Sequence, residues 1–493
     1  MKTTMLLALV AALGLAAPGS HAQAKKDTLT LGMTLEPPGL DPTTGAAAAI
    51  GEITHYNLYE CLTRINDKGG VDPGLAKSWS ISEDQKAYTF KLVEGAKFHN
   101  GEPFSSATVK FAFERAKGEK STNKRKAIFA NMEAIETPDP STVIIKLKAT
   151  NPNLLFNLGE NTAALVEPKS ADTNATQPVG TGPFKFSAWQ KGQSVTLVKA
   201  ETYREPAAIK LSRITFRFIN DPSAMSAALL AGDIDAVPQG GTDNIDQFKK
   251  DKRFTVTEGL TEGETILGIN NKRKPFDDVR VRRAISHAIN RQEIIDGAMN
   301  GVGVPIGSHF SPNNPDYVDL TGVYPHSVSK AKALLAEAGV APGTEWTLVL
   351  PPPTYARRGG EVIAAQLAKV GIKAKLENVE WAQWLDVVYK NKNYDLSIVS
   401  HVEPLDMVIY ENPSYYFQYD NADFRSLMQQ SRAALDPKER SRLTKLAQAK
   451  LTEDAVNGYL FMLPRVSYYK KGLTGIWQNA PIFVNDLTRV HWQ

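Results

Sequence analysis

Residues 73–104 read PGLAKSWSISEDQKAYTFKLVEGAKFHNGEPF. The polar Ser82-Glu83-Asp84 separates two patterned runs, the second being Tyr88-Thr-Phe-Lys-Leu-Val93, so 79–93 predicts a β-hairpin. A helix is expected next, from Ser105 or Ser106, whose hydroxyl can cap it, through Val109, Phe111, Ala112 and Phe113. Toward the N-terminus, 28–33 alternates apolar and polar residues as a half-buried strand does, and Glu36-Pro37-Pro38-Gly39-Leu40-Asp41-Pro42 then forces an irregular loop. A strand that feeds a rigid loop can line a cleft, with Glu36 closing it. Toward the C-terminus, strands are expected at 142–147, after Pro138-Asp139-Pro140, and at 194–199, after Gly192. Asp221-Pro222 supplies an N-cap and a preset first helical residue for a helix ending at Gly232.

The second half changes character. Helices predicted at 279–289, 328–338, 358–370, 382–389 and 437–451 alternate with strands at 347–350, 372–376 and 396–399, which is an α/β layer pattern. Gly339 and Gly371 stand where a left-handed C-cap belongs. With 493 residues the chain exceeds what one hydrophobic core supports, so two or more lobes are expected.

Lys2 precedes an apolar run, 5–17, followed by small residues ending Ser20-His21-Ala22-Gln23-Ala24, the form of a secretory signal peptide cleaved after Ala22 or Ala24. The run is shorter than the roughly 20 residues a membrane span needs, and no cysteine stands nearby to accept lipid. A periplasmic protein that is neither membrane-spanning nor a lipoprotein is expected. A net charge of +4 is too small to argue for nucleic acid. The one cysteine, Cys61, reads as a small buried side chain.

Catalytic and metal motifs are missing: there is no His-Glu-x-x-His, no Gly-x-Ser-x-Gly, no Walker loop and no calcium loop. Ser121 to Lys124 and Ser327 to Lys330 fit Ser-x-x-Lys, the first in a polar lysine-rich stretch and the second at a predicted helix start. The histidines after the leader (His55, His99, His287, His309, His326, His401 and His491) are scattered with no two at ligand spacing, so neither a metal nor a cofactor is expected.

Three ordered segments stand out: 73–104, PVGTGPFKF at 178–186 and PFDDVRVRRAISHAINR at 275–291. Together with ARRGGEVIAAQLAKVGIKAKL at 356–376, they resemble the family-five extracellular solute-binding proteins of bacterial ABC importers, the dipeptide and oligopeptide receptors. The resemblance implies two α/β lobes of the type II periplasmic-binding architecture joined by a hinge, lobe one being larger and carrying an extra subdomain. Lobe one would hold 27–267 and 473–493, and lobe two 268–472. Both 264–269 and 458–463 have the extended pattern a crossover strand needs.

The implied activity is capture of a small ligand, a di- or oligopeptide first, by a monomer that delivers it to an inner-membrane ABC permease without catalysis. Opines, oligosaccharides, glutathione and metal chelates are the alternatives within that mechanism. A periplasmic hydrolase or a sensory or chaperone-like binding protein is the alternative outside it. In dipeptide receptors of this family an arginine of the Ala-Arg-Arg stretch takes the ligand carboxylate, which implies Arg357 or Arg358 here. An acid of a later Trp-x-x-Asp-x-x-Asp-Pro-like loop takes the ammonium, which implies Glu403 with Asp406. Ser400, Glu403 and Met407 depart from that loop pattern. A guanidinium grips a carboxylate bidentately and keeps its charge when desolvated. Gly359 and Gly360 remove side chains near an expected helix start, where backbone amides favour an anion. His401, Glu403 and Asp406 follow an apolar strand, as a cleft rim does, and Tyr355 and Trp384 are the aromatics expected to shape side-chain pockets.

Overall fold

The computed structural model describes residues 26–45 and 47–493; the expected signal peptide lies outside them. The alternating run at the N-terminus forms the strand Thr28–Met33, which sits inside a seven-stranded sheet. In spatial order that sheet holds Phe254–Gly259, Arg465–Lys470, Ala236–Val237, Thr28–Met33, Arg213–Phe218, Ser194–Lys199 and Phe184–Gln190. A second sheet of six strands runs Val304–Pro305, Asn457–Met462, Glu264–Ile269, Leu396–His401, Glu345–Leu350 and Lys373–Asn378. Its central strands Glu264–Ile269 and Asn457–Met462 are buried along their whole length, the polar Glu264 and Asn457 included.

The chain passes between the sheets twice. Phe254–Gly259 of the first gives way across residues 260–263 to Glu264–Ile269 of the second. Asn457–Met462 of the second gives way across 463–464 to Arg465–Lys470 of the first. The division expected after residue 267 falls inside a strand that pairs throughout with the second sheet, and the one after 472 leaves a first-sheet strand in the other lobe. The chain changes sheet at 260–263 and 463–464. Backbone pairing, which a single strand's apolar pattern does not reveal, decides the matter.

The hairpin at 79–93 is present as Ala76–Ile81 and Ala87–Leu92, two strands of a separate four-stranded antiparallel sheet completed by Thr142–Leu147 and Met132–Asp139. The helix Ser106–Lys117 packs on it, with the Ser105 backbone amide donating to Thr108 Oγ1 at 3.1 Å. The hydrophobic core of this unit is continuous with that of the seven-stranded sheet. Caps fall where the sequence placed them: the Asp221 side chain accepts from the Ala224 amide at 2.7 Å, and Gly232, Gly339 and Gly371 all adopt positive φ. Cys61 is buried, its thiol donating to the Glu160 carbonyl at 3.3 Å. Ser327 is a helix cap, accepting from the Lys330 amide, which accounts for that Ser-x-x-Lys match.

His99 links the extra sheet's region to the loop before Phe184. Its Nδ1 accepts from the Gly180 amide at 3.2 Å and its Nε2 faces the Gly182 carbonyl at 2.9 Å, so the ring has no free lone pair. Burial pushes its pKa down to about 4, from an unfolded value near 6.5. The neutral ring's contribution is therefore complete above about pH 6.5 and is lost as pH falls toward 4, because the unfolded chain takes the proton first. Between pH 7 and 5 this single group should remove about 2 kcal/mol of stability. Urea unfolding at both pH values should show that loss in wild type and a correspondingly flatter dependence in His99→Gln.

Candidate functional site

Beside both crossovers, between the two large sheets, lies a cavity of about 520 Å³. Gln239 to Thr242 and Arg465 line it from the first lobe, and Met299, Pro353 and Val402 from the second. Glu262 and Pro464 enter from the crossovers themselves. Most of the wall is apolar, so the few charges that face it determine what it can hold.

Glu262 is buried beside the hinge, and burial together with the nearby Asp406 carboxylate pushes its pKa up to about 8. It takes part in no ion pair among the described residues. Arg465 begins the first-sheet strand directly after Pro464, which has no amide proton with which to continue the preceding ladder. Its Nε donates to the Pro238 carbonyl at 3.2 Å and its Nη2 to Asn485 Oδ1 at 3.4 Å, while Nη1 is buried without a partner. Burial pulls the guanidinium down to about 10, offset in part by Glu52, so it remains a cation at neutral pH. An acid without a counter-ion and a guanidinium with an unused donor thus share one apolar chamber.

Behind the second-lobe wall a buried polar cluster forms. His309 Nε2 lies 2.7 Å from Asp406 Oδ1, and His401 Nδ1 lies 3.3 Å from Asp406 Oδ2. The outer ring nitrogens meet tyrosine hydroxyls, His309 Nδ1 with Tyr410 at 2.9 Å and His401 Nε2 with Tyr416 at 3.0 Å. Burial alone would raise the Asp406 pKa; the two imidazoles overcome that and hold the carboxyl well below the usual range. Leu405, at φ 61°, turns the chain after the strand Leu396–His401 so that Asp406 returns beneath His401. The expectation of scattered, unrelated histidines is corrected here, since His309 and His401 stand 92 positions apart in sequence and share one carboxylate.

The other expected site residues are dispersed. Residues Thr354–Lys369 form the helix, so it begins four residues before Arg358, and the Arg357 amide already donates to the Pro353 carbonyl. The expected helix start at Gly359 and Gly360 is thus the helix interior, where Gly360 exists because a Cβ would lie 2.4 Å from Leu350 Cδ1. Arg357 pairs with Glu380 at 3.2 Å. Arg358 reaches across the cleft to Asp243 of the first lobe at 2.7 Å, and Asn300 of the second lobe donates to the same carboxylate at 3.1 Å. Glu403 faces a smaller recess shared with His55, Arg125 and Glu160 of the first lobe. Tyr355 spends its hydroxyl on the Ser400 amide at 3.2 Å. Trp384 is a core residue, buried with Nε1 donating to Ser397 Oγ at 2.9 Å, because its helix turns inward onto the second sheet. Glu36 is held by Trp189 Nε1 at 2.8 Å and by the Gly192 amide, away from the cavity.

Glu262, Arg465 and His309 carry no motif. The usable signal for the first two was position: each abuts an extended run of the kind read as a crossover. For His309 there was none.

Residues 70–420 match the family described as bacterial extracellular solute-binding proteins, family 5. A putative ABC transporter peptide-binding protein of Brucella ovis is 34% identical over 74% of this chain and 71% of its own length. The probable D,D-dipeptide-binding periplasmic protein of Escherichia coli is 29% identical over 92% of each chain. Among solved structures, the periplasmic binding protein AgaA from A. tumefaciens R10, in complex with agropinic acid, superposes with a TM-score of 0.79 at 27% identity, over 94% of this chain and 99% of the other. No helix among the described residues is long and apolar enough to cross a membrane.

Proposed function

Because the chain belongs to the family 5 bacterial extracellular solute-binding proteins, we propose that it is the receptor of an ABC importer that closes its two lobes over a small zwitterionic solute, a short peptide first, and hands it to a membrane permease. The observation that carries this reading is the interlobe cavity with Glu262 and Arg465 in its wall. A cationic group on the ligand would favour the ionised form of Glu262 and pair with it, and a carboxylate would pair with the Arg465 guanidinium. Both charges would then be satisfied in a desolvated chamber, which an uncharged ligand could not achieve.

Closure is favoured because it adds the second-lobe wall of Met299, Pro353 and Val402 to the contacts made at the crossovers, and a ligand shifts a conformational equilibrium by its differential affinity for the two forms. The residues at 260–263 and 463–464 are the pivot in this scheme. The leader at 1–24 supplies export to the periplasm, where the receptor acts as a monomer and catalyses nothing; its relatives are binding proteins of transporters. An opine carried by the same mechanism is the second reading, supported by the likeness to the agropinic acid complex. Native mass spectrometry of protein purified from its own compartment should reveal a retained small molecule, and adding that molecule to stripped protein should compact it in small-angle scattering. A scattering profile unchanged at saturation would overturn the hinge mechanism.

A further inference from the structure

We propose that His309, His401 and Asp406, with Glu264 beside them, form a binding site for one borderline divalent transition-metal ion, of the zinc and cobalt class, set behind the wall of the ligand cavity. One ligand atom from each of His309, His401 and Asp406 lies within 4.8 Å of the others. None of the four residues lines the cavity, so the site is separate from the one that takes the solute.

Three features carry the assignment. The first is Glu264, which is 2% exposed and whose Oε2 has no hydrogen-bond partner. Glu264 stands directly opposite His401 in the antiparallel ladder, and directly opposed residues project from the same face of a sheet. A buried, unpartnered carboxyl oxygen therefore stands on the cluster's side of the sheet, beside the three residues whose ligand atoms already lie together. The second is charge. Asp406 and Glu264 are buried near one another, with the two imidazoles as the partners of Asp406 and no lysine or arginine among the described residues pairing with either acid. A divalent ion would supply positive charge to this acidic pocket.

The third is the outer shell. Each imidazole presents one nitrogen to Asp406 and the other to a tyrosine hydroxyl. A hydroxyl donates or accepts equally well. Each ring can therefore carry its proton on the nitrogen facing tyrosine, donate it there, and turn a lone pair toward the ion without becoming charged. Asn457 Nδ2 holds the Tyr410 hydroxyl at 3.1 Å, which fixes that partner in turn. Such outer-shell contacts orient metal-bound histidines. Two imidazole nitrogens with carboxylate oxygens select zinc, cobalt or nickel over magnesium or calcium. The bound ion would tie the strand Leu396–His401, the turn that carries Glu403 and the His309 loop into one rigid wall behind the ligand.

Untagged protein stripped with a chelator is the material for the test, titrated with Zn²⁺ by calorimetry and with Co²⁺ by visible absorption. The expected result is one ion per chain, a tetrahedral cobalt spectrum, and a thermal midpoint raised by one equivalent of zinc. Asp406→Asn, which preserves volume, and His309→Ala should each weaken binding about a hundredfold and abolish the zinc-dependent rise in midpoint. Circular dichroism of both variants checks that the fold persists. Arg358→Ala should retain the ion, because its side chain pairs with Asp243 across the cleft and meets none of the ligands. Absence of any ion at micromolar Zn²⁺ would overturn the site. Binding unchanged in Asp406→Asn, which would mark adventitious surface histidines, would overturn it equally.

Discussion

Arg465→Met should weaken binding of the retained solute about a hundredfold while leaving the protein folded. The guanidinium is 3% exposed, keeps Nη1 without a partner and faces the interlobe cavity. A hydrogen bond to a charged group contributes about 1.5–3 kcal/mol, a range whose upper part reaches the roughly 2.7 kcal/mol that a hundredfold represents. Methionine keeps much of the side-chain volume and removes the charge, so the loss reads the charge and not a collapsed wall. Arg358→Ala is the control with the opposite expectation. Its side chain is 44% exposed and its partner Asp243 56% exposed, and such pairs contribute roughly 0.2–1 kcal/mol. Because Asn300 still holds Asp243, the cleft loses one of two bridges and affinity should fall only about threefold. Titration calorimetry on the two variants decides between them. A silent Arg465→Met beside a crippled Arg358→Ala would return the carboxylate to the arginine pair.

Glu262→Gln should cost at least about tenfold in affinity for a solute bearing a cationic group. The same substitution should leave unchanged the binding of an analogue whose amine is acetylated. The two measurements form a cycle in which only the charge pairing differs. The unliganded variant should also melt at a higher temperature than wild type, since Glu262 is buried near the Asp406 carboxylate with no cation to offset the cost. A gain in stability coupled to a loss of binding is the mark of a residue kept for function. Equal affinity of wild type and Glu262→Gln for the free-amine ligand would remove Glu262 from the site.

Local features were legible because they depend on neighbours in sequence. The hairpin around Ser82-Glu83-Asp84, the Asp221 cap, the left-handed Gly339 and Gly371 and the two extended runs at the crossovers each follow from backbone sterics or apolar period. The Arg357-Arg358 stretch was legible as a helix but four residues late. Pro351 to Pro353 ends in a residue that serves as the N-cap, so Thr354 and Tyr355 open the first turn. Trp384 was read as a cleft aromatic because an exposed and a buried indole look alike in one sequence; contact with Ser397 on the sheet beneath distinguishes them.

The order of residues thus settled the two-lobed α/β class and the family, both of which rest on patterns repeated over many positions. Which charges meet was settled by the fold. Glu262 and Arg465, some two hundred residues apart, face one cavity because the two crossovers run side by side. His309 and His401 share Asp406 because a loop and a strand end are brought together on one face of the second sheet. A binding site needs a few side chains from distant segments placed to within an ångström, and that placement comes from packing and strand pairing, which no local pattern encodes.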